Sequence, residues 1–125
     1  MVKTLISIVI ASAILFGVSM YSIVYVNDTF AFFERALLSL YDKTEAQTAT
    51  YEDGTAVQRF WEEKKKSLHV WVPHTAIQEV DYQLYEAVGF LYVQDYKAAL
   101  PKIEVVLGMC ENIPHSYTLG VENIF

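Results

Sequence analysis

Two kinds of hydrophobic pattern divide the chain. From Thr4 to Val26 the sequence TLISIVIASAILFGVSMYSIVYV carries no charged side chain and shows no period, so no face of it is reserved for water. A helix needs about 20 predominantly apolar residues to cross bilayer hydrocarbon, and this run is slightly longer. The serines at 7, 12, 19 and 22 lower its hydropathy little, because a hydroxyl can donate to a carbonyl one turn back in its own helix. Beyond Val26 the apolar residues become periodic, and each stretch keeps one wet face.

Asn27, Asp28 and Thr29 suit a helix N-cap, and Phe30, Phe33, Leu37, Leu40 and Tyr41 then share one face, which predicts a helix over roughly 29–50. Nothing at position 28 forbids a direct continuation of the apolar helix instead. Tyr51-Glu-Asp-Gly-Thr reads as a turn at Gly54. Val57, Phe60, Trp61, Leu68 and Trp71 form the stripe of a second helix from Thr55 to about Trp71, which Pro73 stops. Thr75 with Gln78 has capping-box spacing, ahead of a third stripe of Ile77, Val80, Leu84, Val88 and Leu91. After Gln94-Asp95 a fourth carries Tyr96, Ala99, Leu100, Ile103, Val106, Leu107 and Cys110, with Pro101 either kinking it or marking its start. Asn112-Ile-Pro-His ends it, leaving a tail from Ser116 to Phe125 with room for a turn or two.

No strand-like alternation of useful length occurs. The expected fold is therefore all-α, an N-terminal transmembrane helix followed by a small antiparallel bundle of three to four helices. Residues 1–26 are the expected signal anchor and 27–125 the expected extracytoplasmic helical domain. Lys3 stands on one side of the apolar run and Asp28 and Glu34 on the other, so the positive-inside rule places residues 1–3 in the cytoplasm of a single-pass membrane protein. The alternative is secretion after signal cleavage, with Gly17 and Ser19 as the small-residue pair. That reading fits less well because apolar sequence continues beyond them.

Charge narrows the function. Of the nine Lys and Arg, one is Lys3, while all fifteen Asp and Glu lie from Asp28 onward, so residues 27–125 carry about minus seven. Such a surface repels polyanions, and nucleic acid is not an expected partner. Lys64–Lys66 follow Glu62 and Glu63 directly and read as one solvated helix face. Cys110 is the only cysteine, so no internal disulfide can form, and its place on an apolar stripe points to the core.

Two polar residues interrupt the stripes. Lys64 falls near the centre of the second helix's apolar face and Asp81 inside the third's, nine and eight residues from Pro73. In an antiparallel hairpin they stand at about the same level, and a partly buried ion pair is expected. The alternative is that Lys64 snorkels to solvent and Asp81 faces a groove. His74, Glu79 and Asp81 cluster in sequence, but spacings of five and seven do not share a helix face, so no metal site is expected. Cys110 has no evident base, and P-loop, dinucleotide and serine-hydrolase patterns are absent. No enzyme, catalytic residue or cofactor is expected.

The stretch LYEAVGFLYVQDYKAALPKIEVVL resembles one tetratricopeptide-type hairpin, which implies two antiparallel helices but, as a single unit, no solenoid. The short basic start, the apolar helix, Trp61 with its Lys-rich turn, His74-x-x-Ile77, Asp81-x-x-Leu84, Asp95 and a Leu107-containing last helix resemble a family of small single-pass membrane proteins. The family it resembles is known mainly from low-GC Gram-positive bacteria and is filed as a domain of unknown function. The resemblance implies an anchored extracytoplasmic helical domain and transfers no activity. The expected function is a non-enzymatic accessory or protein-interaction module of the cell envelope, held to the membrane by residues 4–26. Trp61, Trp71, His74 and Phe90 are the candidate interaction surface. The alternative is a small-ligand or metal-binding receptor domain using a groove near Trp71, His74 and Asp81.

Overall fold

The computed structural model describes the chain over residues 1–124, with side chains as far as His115. Four helices follow in order: α1 Val2–Glu45, α2 Tyr51–Leu68, α3 His74–Tyr92 and α4 Tyr96–Ile124. The apolar run and the first periodic stretch are one unbroken helix of 44 residues, so Asn27–Thr29 lie mid-helix and cap nothing. Thr29 instead donates its hydroxyl to the Tyr25 carbonyl at 2.7 Å, as Ser7 does to Lys3 (3.0 Å) and Ser22 to Ser19 (2.8 Å).

Each helix turns back on its predecessor through a connection of five, five and three residues, and each packs on its sequence neighbours, with α4 closing the ring along α1. The result is an up-down-up-down bundle. Its core takes Val26, Phe30, Phe33, Leu37 and Leu40 from α1, and Val57, Trp61 and Leu68 from α2. From α3 come Ile77, Val80, Leu84, Val88 and Leu91, and from α4 Ala99, Ile103, Val106 and Cys110. These are most of the residues of the predicted stripes, joined by Val26 from the apolar run. The large rings meet in the middle, where Trp61 packs 5.1 Å from Phe33 and 6.1 Å from Phe30, and burying each ring contributes about 1.5–3 kcal/mol.

Several helix ends differ from expectation. Thr50 accepts the Asp53 N–H at 3.1 Å while Asp53 accepts the Thr50 N–H at 3.0 Å, a reciprocal cap that starts α2 at Tyr51. Gly54 therefore lies inside the helix, not in a turn. Its role is close approach: a Cβ there would stand 3.0 Å from Leu91 Cδ1 and 3.4 Å from a Val88 methyl. At α3 the Thr75–Gln78 box does not form, because Pro73 is the N-cap and the helix begins at His74. Asp95 caps α4 as expected, accepting the Ala98 N–H at 3.1 Å. α4 takes both Pro101 and Pro114 into its length and runs to Ile124, so Asn112–His115 does not end it, and the expected tail is helical up to Phe125, which lies outside the described residues.

Candidate functional site

The polar groups of the bundle sit on its seams. Lys43 meets Asp53 at 3.3 Å between α1 and α2, and Lys102 meets Glu86 at 2.8 Å between α4 and α3. Tyr41 donates to Glu104 at 3.0 Å between α1 and α4. The Glu104 hydrogen bond raises the Tyr41 pKa, and the Thr50 N–H lowers that of Asp53. Each of these pairs is partly open to water, so each contributes little to stability.

The α2–α3 seam is richer. Trp61 Nε1 donates to Asp81 Oδ1 at 2.6 Å, and Lys65 Nζ reaches both Asp81 oxygens at 3.3 Å. Lys65 also donates to Tyr85 at 3.2 Å, Tyr85 donates to Glu62 at 3.2 Å, and Gln58 donates to the same Glu62 oxygen at 3.2 Å. The i, i+4 spacing of Gln58–Glu62, Trp61–Lys65 and Asp81–Tyr85 places these groups on two facing helix surfaces. Burial opposes the charge on Lys65, but the hydrogen bonds with Tyr85 and Asp81 outweigh it and raise its pKa. Burial likewise raises the Tyr85 pKa. Lys65 is thus a fixed cation and Tyr85 a neutral relay. The Asp81 carboxylate is held by donors on one side, which suits a clasp fixing the register of the hairpin.

Among the residues singled out from sequence, Asp81 does pair with the lysine cluster of α2, but with Lys65, one position beyond Lys64. A pairing with Lys64 would need α2 rotated by about 100°. Lys64 instead stands 5.9 Å from the Phe60 ring centroid, beside a groove lined by Tyr21, Val24, Tyr25, Asp28, Thr29 and Phe32. Trp61 is 1 % exposed, so it belongs to the core and not to an interaction surface. Trp71 and Phe90 are half-buried against that core and His74 is exposed, its ring stacked 5.2 Å from that of His69. Among the described residues no hydrogen bond or ring contact joins Trp71, His74 and Asp81. The site that sequence reasoning missed is the Gln58–Glu62–Tyr85 arm; its signal was the i, i+4 polar pair on α2 facing a tyrosine one turn beyond Asp81.

Cys110 is buried, and burial pushes its thiol well above the ordinary range, leaving a poor nucleophile. Among the described residues no group of three or more His, Cys, Asp and Glu is placed to hold a metal ion.

The other conspicuous region is the first half of α1. Its apolar side chains stand free of the bundle, Leu5 and Leu15 each 62 % exposed, and burial begins at Ser22. By length and composition this is the one described helix able to cross a membrane or serve as a signal sequence.

No curated protein and no solved structure matches the chain. A family model, that of the domain of unknown function DUF4363, matches residues 20–124, beginning where α1 enters the bundle and leaving out its exposed half. The chain, all-helical over its described residues, belongs to this family of domains of unknown function.

Proposed function

We propose that the protein is a single-pass membrane protein whose helical bundle serves, without catalysis, as an accessory or interaction module of an envelope complex. The observation that carries this reading is the unpacked half of α1. Val2–Tyr21 covers about 30 Å at 1.5 Å per residue, the thickness of bilayer hydrocarbon. Helix continuity through Ser22 makes anchor and bundle one rod, so the bundle is held at a fixed height above the lipid. Tyr21 and Tyr25, stacked at 6.1 Å where the exposed segment ends, suit the headgroup region. The charge asymmetry between Lys3 and Asp28 favours residues 1–3 in the cytoplasm and the bundle outside. Tyrosines are common in protein interfaces, and Tyr51, Tyr82 and Tyr92 are 42 %, 59 % and 69 % exposed on α2 and α3, which supports a protein partner there.

The test is a crosslinking pull-down of the full-length protein from its native membrane, beside a chain whose residues 4–21 are replaced by an unrelated membrane helix. A partner recovered with both, and lost on Tyr92→Ala, supports a binding surface on the bundle. Recovery only with the native segment moves recognition into the membrane. If neither chain brings down a stoichiometric partner, the interaction reading fails.

A further inference from the structure

The connection between α2 and α3 is unlike the other two. Residues 46–50 read Ala-Gln-Thr-Ala-Thr and 93–95 Val-Gln-Asp, whereas 69–73 read His-Val-Trp-Val-Pro. In an up-down-up-down bundle the first and third connections lie at the far end from the α1 N-terminus, so 69–73 is the one helix connection on the near side. Its height follows from the packing. Lys64 shares a groove with Tyr21, Val24, Tyr25 and Asp28, and α2 runs antiparallel to α1, so His69 lies about 7.5 Å further down. That is the level of Ser22, where α1 passes from buried to exposed.

At this level the turn presents an apolar tip. Val70 is 72 % exposed, Trp71 is half-buried, and Val72 anchors the turn from inside at 4 %. The Trp71 and Val72 N–H groups both donate to the Leu68 carbonyl, at 2.9 and 2.8 Å, so the turn holds its shape with those two donors satisfied. No carboxylate occurs between Glu63 and Glu79, in a domain whose net charge is otherwise strongly negative. Lys66 is exposed there, while Lys65 is engaged by Asp81. The turn and the helix ends that flank it therefore bring no carboxylate of their own toward the lipid, and Asp28 of α1 shares its groove with Lys64.

We propose that the α2–α3 turn is a second membrane contact, in which Val70 and Trp71 enter the headgroup region of the leaflet from which α1 emerges. This rests on α1 being the anchor. One helix alone fixes height and leaves the bundle free to lean. A foot several ångströms from the helix axis opposes that lean and settles which face of the bundle points outward. A ring with one apolar and one hydrogen-bonding side, next to a small apolar side chain, is the composition that suits that depth. Insertion is driven by apolar burial, so it persists in zwitterionic lipid, with Lys66 adding a salt-sensitive part on anionic lipid.

The experiment places a single environment-sensitive fluorophore on the full-length protein in vesicles of phosphatidylcholine and phosphatidylglycerol, and quenches it with a headgroup-proximal nitroxide lipid. Cys110 is 4 % exposed, so introduced cysteines label selectively. Val70→Cys is compared with Val93→Cys, 65 % exposed at the far end of the bundle, and with Ile10→Cys in the exposed half of α1. The expected result is several-fold stronger quenching at 70 than at 93, with 10 reached by a deep nitroxide. Position 10 reached by the deep probe with 70 no more quenched than 93 overturns the foot and leaves the anchor standing. Position 10 untouched by any lipid quencher overturns the anchor and the foot with it.

Discussion

The two halves of α1 share a backbone and differ in what each expects around it. Val2–Tyr21 is apolar on every side and exposed on nearly every side; Ser22–Glu45 keeps Phe30, Phe33, Leu37 and Leu40 inside and sends Asp28, Arg35, Asp42 and Lys43 out. Among the described residues the apolar side chains of the first half are left largely exposed, Leu5 and Leu15 at 62 %. The second half packs between α2 and α4. The lesson is that a uniformly apolar run marks the part of the helix that stays outside the bundle, whereas period marks the part that packs within it.

Substitutions separate the two environments. Phe33→Ala removes a ring packed on Trp61 at 5.1 Å and on Phe60 at 6.0 Å, in a site with no exposure. It is expected to cost about 3–5 kcal/mol of bundle stability by chemical denaturation in detergent. Membrane insertion should be unchanged by carbonate extraction. A loss of insertion with Phe33→Ala would show that the two halves are not independent.

Ile10→Arg is the opposite case. An arginine at the centre of a membrane helix costs about 2.5–3.5 kcal/mol on insertion scales. The fraction in the membrane pellet should fall, while the melting of the bundle in detergent stays as it was, because Ile10 is 53 % exposed and touches none of the core. If Ile10→Arg lowers the melting temperature instead, the exposed half is a protein surface and the lipid reading is wrong.

What was legible in the sequence follows the same division. The uniform run was visible from its unbroken apolar composition and the four stripes because burial repeats with the helix period; most stripe residues are buried, with Tyr41, Phe60, Trp71, Tyr96, Leu100 and Leu107 half-buried at the edge of the core. Features set by contact between helices were not. Gly54 looked like a turn because glycine is the common turn residue; only the position of Leu91 shows that it makes room. Lys64 and Lys65 are adjacent, and one residue is a rotation of about 100°, which counting from Pro73 cannot resolve. Trp61 reads from sequence both as a stripe residue and as part of an aromatic surface; only the fold shows that its N–H finds an acceptor in the part-buried Asp81, which lets a tryptophan lie fully inside.

The α2–α3 clasp sharpens the comparison on the packed side, since among the described residues the exposed half of α1 carries no ion pair. Asp81→Leu leaves Lys65 and the Trp61 N–H without their acceptor and is expected to cost about 1–3 kcal/mol. Lys65→Met combined with it should cost less than the sum of the two single changes. Strict additivity would mean that the pair contributes nothing of its own. The sign of the pH effect follows from the raised pKa of Lys65. Its contribution is fully present below the unfolded lysine value of about 10.4 and lost as pH rises through the folded one, so denaturation curves should weaken at alkaline pH. Lys65→Met should remove that part of the loss.

The smallest expected effect comes from a turn, and it tests the independence of the halves by a gain. Gln94 closes α3 with φ 59°, in the left-handed region, while the Asp95 N–H donates back to the Phe90 carbonyl at 2.8 Å. A side chain in that region costs about 1–2 kcal/mol, and glycine avoids it while losing roughly 0.5–1 kcal/mol of chain entropy on folding. Gln94→Gly should therefore stabilise the bundle by roughly 0.5 kcal/mol, a rise of about 2–4 °C in melting temperature for a domain of this size. The side chain is exposed, so little packing is given up. Insertion should not change, because the turn lies at the end of the bundle farthest from Val2–Tyr21. A β-branched residue at the same place, Gln94→Val, should move the melting temperature down. If both variants melt alike, the left-handed conformation is not what sets the stability of this turn.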